Sequence, residues 1–196
     1  MGTRGRPRTF DPDLALRQAL DVFWERGYEG TSLSDLSAAM GIRSASIYAY
    51  FGSKEELFRQ VMALYGATAG EPPRRALRDG PTAREAVHAM LQATADQITH
   101  PEHPHYCMLI LAAPTGTVQN HPVREFLADL RHGMREEIRA RLARDGDVPE
   151  PALDPMSRYY TTIVQGLSIQ ARDGATRPEL EPVITCAMAA WDTLAA

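Results

Sequence analysis

Apolar residues recur at three- and four-residue spacing along almost the whole chain, and no stretch alternates apolar and polar long enough to make a strand. That periodicity, punctuated by glycine and proline, restricts the chain to packed helices, so the expected fold class is all-α with about nine helices. With 196 residues, 44% of them hydrophobic, the chain can bury a core of its own. The longest apolar run, 107–113, falls well short of the roughly 20 residues that cross a bilayer. The basic N-terminus has no hydrophobic segment behind it, so a signal peptide is not expected and a cytoplasmic protein without membrane contact is.

The punctuation places the helices. Asp11 as N-cap, with Pro12 behind it, opens a first helix that carries Leu16, Ala19, Leu20 and Phe23 on one face and ends at Gly27. A short second helix starts at Thr31 or Ser32, turns Leu33, Leu36 and Met40 inward, and stops at Gly41. After the turn Gly41-Ile42-Arg43 a third helix covers 44–51 and Gly52 closes it. The capping box Ser53-Lys54-Glu55-Glu56 starts a fourth, whose apolar face is Leu57, Phe58, Val61, Met62 and Tyr65.

Residues 70–81, with three prolines and three arginines, read as a linker. The box Thr82-Ala83-Arg84-Glu85 opens a helix reaching about His100, and Pro101, Pro104 and Pro114 bracket a short apolar helix over about 106–113. Pro122 starts a long amphipathic helix through Phe126, Leu130, Met134 and Ile138 to near Gly146. Asp154-Pro155 caps the next, to about Gly174, and the last runs from about Pro178 to Leu194.

A helix, a glycine turn and a second helix make the unit in which the second helix enters the DNA major groove. At about 100° per residue, Ile47 and Phe51 of the third helix face the core. Ala45, Ser46 and Ala49 then point away, with Tyr48 and Tyr50 on the flanks. The outward face is small enough to approach base edges. Each tyrosine hydroxyl can donate to a phosphate, and Lys54 sits where a phosphate would also meet unpaired backbone N–H groups. The bland alternative is that the tyrosines are boundary residues of a helical hairpin.

The net charge of −4 conceals an asymmetry: through residue 60 basic and acidic side chains are equal in number, so the acidic excess lies downstream and DNA contact belongs at the front. There, Arg4-Gly5-Arg6-Pro7-Arg8 resembles the core of minor-groove AT-hook peptides, whose extended arginines, here Arg4 and Arg6, seek a narrow A·T-rich groove. A disordered terminus with incidental charge is the alternative.

Ala19-Leu20 through Phe23, Gly27-Tyr28, Thr31-Ser32, Leu36, Gly41-Ile42, and then Ile47-Tyr48-Ala49-Tyr50-Phe51-Gly52-Ser53-Lys54-Glu55-Glu56-Leu57 resemble the DNA-binding domain of tetracycline-repressor (TetR) family regulators, over about a third of the chain. The resemblance implies a basic arm (1–8), a three-helix DNA-binding domain (9–68) and a helical regulatory and dimerisation domain (69–196). It also implies a homodimer on a palindromic double-stranded operator, a small-molecule inducer that releases a repressor, and no cofactor. Ser44, Ser46, Tyr48, Ala49, Tyr50 and Lys54 stand where such proteins touch DNA, with Arg43 and Ala45 beside them. Two residues depart from the pattern: Arg43 replaces a common serine or threonine cap, and Ala49 replaces a larger polar residue.

The implied inducer pocket has candidates in Met62, Tyr65, Cys107, Met134 and Tyr160, with His88, Gln92, His105 and Gln165 as polar groups able to orient a ligand in a mostly apolar cavity. Met and aromatic residues at helical spacing are more often plain core. The resemblance places dimerisation on the last two helices, through Gly166, Val183, Ile184, Ala187, Met188 and Trp191, and leaves open whether Gly166 serves the dimer or the pocket. Two further readings keep the fold and change the signal. Cys107 would be a thiol or electrophile switch, although the apolar run after it argues for an inert thiol; or His100, His103, His105 and His121 would bind metal, although they lack regular helical spacing. A small helical enzyme is the remaining class, and no phosphate loop, nucleophile elbow or paired His-Glu motif supports it.

Overall fold

The computed structural model describes residues 10–111 and 120–195, so the Arg4 and Arg6 expectation lies outside the described residues. Among these the secondary structure is entirely helical. Helix α1 (Pro12–Gly30) begins at Asp11, whose carboxylate accepts from the N–H groups of Asp13 and Leu14 at 3.0 and 3.1 Å. Gly27 breaks it with φ 69°, where the sequence places its end, and one further turn follows. Helices α2 (Leu33–Met40), α3 (Ser44–Phe51) and α4 (Lys54–Ala67) follow at short intervals. Ser32 and Asp35 form a reciprocal cap on α2, and Ser53 and Glu56 form the expected one on α4. Gly52 between α3 and α4 has φ 80°, and a Cβ there would run into the Glu56 carboxylate, so the cap and the glycine require one another.

Residues 70–81 are not a linker. Helix α5 (Glu71–Asp79) occupies them, because Pro72 and Pro73 fall in its first turn, where no backbone N–H is needed. Gly80 closes it, and a Cβ at that position would come within 2.8 Å of Ala86, so only glycine lets α5 fold back along α6 (Ala83–Ile98). The short α7 (Met108–Leu111) and the long α8 (His121–Arg144) come next. Helix α9 (Glu150–Arg172) starts one turn before the Asp154 cap expected from the sequence. It carries Pro155 inside, where the buried neighbours Leu153 and Met156 offset the missing hydrogen bond. The last expected helix is interrupted at Ala190 into α10 (Arg177–Ala189) and α11 (Trp191–Leu194).

Two apolar cores result. The first joins Ala19, Phe23, Leu36, Ile47, Leu57 and Phe58 of α1–α4, all fully buried, and also takes Met108 of α7 and Val123 and Leu127 of α8. The second gathers α5, α6, α9, α10 and α11 with the far half of α8 through Ile138 and Leu142. Helix α8 therefore belongs to both cores. Cys107 packs against both as well.

Candidate nucleic-acid interface

The surface of α3 is organised by what it buries. Ile47 and Phe51 are at 0% and 6% exposure, which forces Tyr48 and Tyr50 out to 52% and 57%. Ala45 and Ala49 are exposed between them, and Ser46 is half-exposed. Short side chains thus line the middle of the face, with a phenol on each margin. At the entrance, Gly41 adopts the left-handed conformation that ends α2, and the Ser44 hydroxyl lies 2.9 Å from that of Ser37, tying the two helices together. No side chain caps α3, because Arg43 occupies the N-cap position and is exposed.

Neighbouring rings hold the two outermost candidates. Phe10 packs against Tyr50 with ring centroids 4.0 Å apart and the planes tilted by 31°. The Lys54 ammonium lies 4.2 Å from the centre of the Tyr28 ring. Burial there holds Lys54 below the usual lysine range, against the opposing pull of Glu29 and Asp35. Neither Phe10 nor Tyr28 was marked as a site residue from sequence. Trp24 and Tyr28, four residues apart, continue the apolar stripe of α1 into the same core as Phe23 and Leu36.

A polar seam joins α1 and α4 to the segment before α7. The Tyr65 hydroxyl accepts from the Met108 N–H at 3.3 Å and donates to Cys107 Sγ at 3.4 Å. Burial pushes the Tyr65 phenol far above its ordinary range and raises the Cys107 thiol too. Trp24 donates its Nε1–H to the Tyr106 carbonyl at 3.1 Å, and the Tyr106 hydroxyl returns a bond to the Trp24 carbonyl. His103 stacks on the other side of Trp24 at 4.9 Å. Farther along α4, the Arg59 guanidinium sits 4.3 Å from the Phe126 ring of α8.

The remaining pocket candidates lie in different places. Tyr65 and Cys107 touch, with Met62 in the same core. Exposed His88 and half-buried Gln92 form a separate pair on α6, with Gln92 also bonded to Glu181 and Arg177. His105 is exposed, Met134 packs against the second core, and Gln165 is half-buried on α9. Tyr160 is fully buried against Trp191, 5.7 Å between centroids.

The dimer candidates divide as well. Ile184, Ala187, Met188 and Trp191 are at most 9% exposed, consumed by the protomer's own core, and have almost no surface left for a partner. Val183 and Gly166 remain half-exposed, and a Cβ at Gly166 would meet nothing within 4 Å among the described residues. On the same helix, Ile169 is 48% exposed.

Against known proteins, residues 15–61 match the model for bacterial regulatory proteins of the tetR family. The HTH-type transcriptional repressor ComR of Escherichia coli (strain K12) is 31% identical over 98% of this chain and 94% of its own. The HTH-type transcriptional repressor BdcR of the same strain is 29% identical over 95% and 89%. A cysteine mutant of the TetR family transcriptional regulator CifR, complexed with 26bp double-strand operator DNA, superposes with a TM-score of 0.90 at 43% identity, over 95% of this chain and 100% of that one. With its helix-turn-helix face and its full-length likeness to these regulators, the chain belongs to the TetR family.

Proposed function

We propose that this chain is a transcriptional repressor that binds a palindromic double-stranded operator as a homodimer in the cytoplasm and is released by a small-molecule inducer. The observation that carries the reading is the face of α3, with small residues at its centre, a phenol on each side and a lysine at the start of α4. Residues 9–68 form the DNA-binding part and 69–196 the regulatory part. Ala45, Ser46 and Ala49 meet base edges, the Ala49 methyl against a thymine methyl, while Arg43, Ser44, Tyr48, Tyr50 and Lys54 hold the backbone. Likeness to repressors and to an operator-bound regulator supports this assignment.

Replacing Lys54 by alanine is expected to weaken binding to every sequence alike. It should also flatten the dependence of log affinity on log salt by about 0.9 per lost phosphate contact, or about two per dimer. Tyr50→Phe should weaken binding without sequence preference, whereas substitutions at Ser46 or Ala49 should change which operator is preferred. An unchanged salt slope for Lys54→Ala, measured by fluorescence anisotropy, would remove its phosphate contact from the scheme.

The inducer acts at the seam around Tyr65, Cys107 and Met62, reaching toward Met134 and Tyr160. Helix α4 is the lever, since Lys54 at one end adjoins the DNA face and Tyr65 at the other touches Cys107. A ligand shifts such an equilibrium only by preferring one state. Linkage then requires operator DNA to weaken inducer binding by the same factor that inducer weakens operator binding, typically about 5–150-fold. Calorimetric titration of an inducer with and without saturating operator tests this, and equal affinities would end the allosteric reading. A thiol signal at Cys107 is the second reading, favoured by its contact with both cores. Repeating the titration on Cys107→Ser separates the two, because a non-covalent inducer survives that change and a thiol-directed one does not.

A further inference from the structure

The position of the Lys54 ammonium is set by residues outside α4. The Tyr28 ring, 4.2 Å from it, is itself held by Phe23, stacked at 6.1 Å, and by Phe58, edge-on at 5.0 Å. Two carboxylates pull on the lysine, Glu29 and Asp35, and they differ in what holds them. Asp35 is spent on its own turn, where it accepts from the Ser32 N–H at 2.8 Å and from Arg26 at 2.7 Å. Glu29, in the last turn of α1, accepts from the side-chain amide of Asn120 at 3.1 Å, across 91 residues. An amide is uncharged, so that bond leaves the Glu29 charge intact.

Asn120 stands at the N-cap of α8, a position where asparagine ordinarily bonds the first unpaired N–H groups of its own helix. Here no side chain caps α8, and the amide reaches across to α1 instead. Helix α8 has Val123 and Leu127 in the first core and Ile138 and Leu142 in the second, so a shift of its regulatory half is felt at its tip. We propose that Glu29 and Asn120 are positioning residues for Lys54: the Asn120 amide holds the Glu29 carboxylate away from the ammonium, and the tip of α8 thereby sets whether Lys54 is presented to a DNA phosphate.

With Asn120 in place, Lys54 forms no ion pair among the described residues and rests on the Tyr28 ring. When the tip of α8 withdraws, the Glu29 carboxylate competes with the phosphate for the ammonium. This rests on the assignment of Lys54 to a phosphate, and it supplies a route from the regulatory part to the DNA face that bypasses the seam at Tyr65.

Fluorescence anisotropy of the full chain tests the proposal with Asn120→Ala, Glu29→Gln and the two together, in the wild-type and Lys54→Met backgrounds. A labelled duplex of mixed sequence at low salt serves as the probe, because phosphate contacts are independent of sequence. Asn120→Ala should weaken binding by about five-fold. Glu29→Gln keeps an acceptor for Asn120 and drops the charge, so it should change little alone and restore binding in the Asn120→Ala chain. In the Lys54→Met background Asn120→Ala should have no effect. Asn120 makes no cap bond, so its loss leaves α8 intact, which circular dichroism would check. Unchanged binding by Asn120→Ala would overturn the proposal, as would a loss that Glu29→Gln does not relieve. An equal gain from Glu29→Gln with and without Asn120 would also overturn it, since that is plain repulsion between Glu29 and DNA. Lys54→Met binding as tightly as wild type would instead remove the phosphate contact on which the proposal rests.

Discussion

A chain carrying Gly166→Arg and Ile169→Asp together should scatter light as a monomer at micromolar concentration and lose roughly 100-fold or more in operator affinity. On α9, Ile169 keeps about half its surface while its neighbours Leu167 and Ser168 are fully buried. Gly166 beside it has open space in place of a side chain, so neither residue stabilises the protomer and both are free for a second copy. A close approach of two α9 helices explains a glycine that costs helix stability and fills no intramolecular need. An arginine and an aspartate there place charge in that contact without disturbing the fold. Two linked half-sites gain about 10²–10⁴ in affinity over one, and that avidity is what the monomer forfeits. An unchanged far-UV circular dichroism spectrum would show that the protomer fold survived, and a variant that remained dimeric would move the interface elsewhere. Trp191→Asp, which sequence reasoning would choose instead, should unfold the protomer, since Trp191 is buried against Tyr160.

Trp24→Ala should cost about 3–5 kcal/mol of stability and, in the fraction that folds, leave operator binding intact while abolishing the response to inducer. The indole is 3% exposed and meets Tyr65 edge-on at 5.0 Å, with His103 on its other face. Its Nε1–H donates to the Tyr106 carbonyl, while the Tyr106 hydroxyl donates to the Trp24 backbone carbonyl. Removing it opens a cavity where the DNA-binding core touches the segment leading into α7, and it cuts the path from Cys107 and Tyr65 to α1. The α3 face rests on Ile47 and Phe51 and does not depend on this contact. Urea unfolding gives the first quantity, and operator titration with and without inducer gives the second. Trp24→Phe separates packing from hydrogen bonding, since it keeps most of the ring and loses a single N–H···O bond worth about 1 kcal/mol. A Trp24→Ala protein that still released DNA on inducer would show that the signal travels by another route, for which Arg59 on Phe126 is the next candidate.

The DNA face was legible in the sequence because a short helix between glycines leaves few choices: once Ile47 and Phe51 face inward, the angular position of every other residue follows. Caps were legible for the same local reason: the box at Ser53 forms where spacing places it, and at Thr82 the hydroxyl accepts from the Glu85 N–H and donates to the Glu85 carboxylate, without the reciprocal backbone bond of a full box. Local rules misread 70–81, because prolines read as breakers, whereas Pro72 and Pro73 fall in the first turn of α5, where they are compatible with a helix.

The sequence by itself determined the helical class, the helix-turn-helix, the family and the outward residues of α3, all of which depend on neighbours within a few positions along the chain. Only the tertiary structure decided which of two apolar faces a helix gives to its own core. It buried Ile184, Ala187, Met188 and Trp191 within the protomer and left Ile169 and Gly166 outside. It also brought Tyr65 to Cys107 across 42 residues and Trp24 to Tyr106 across 82. Such pairings arise from how long helices cross when they exclude water, and periodicity along one helix carries no information about the crossing.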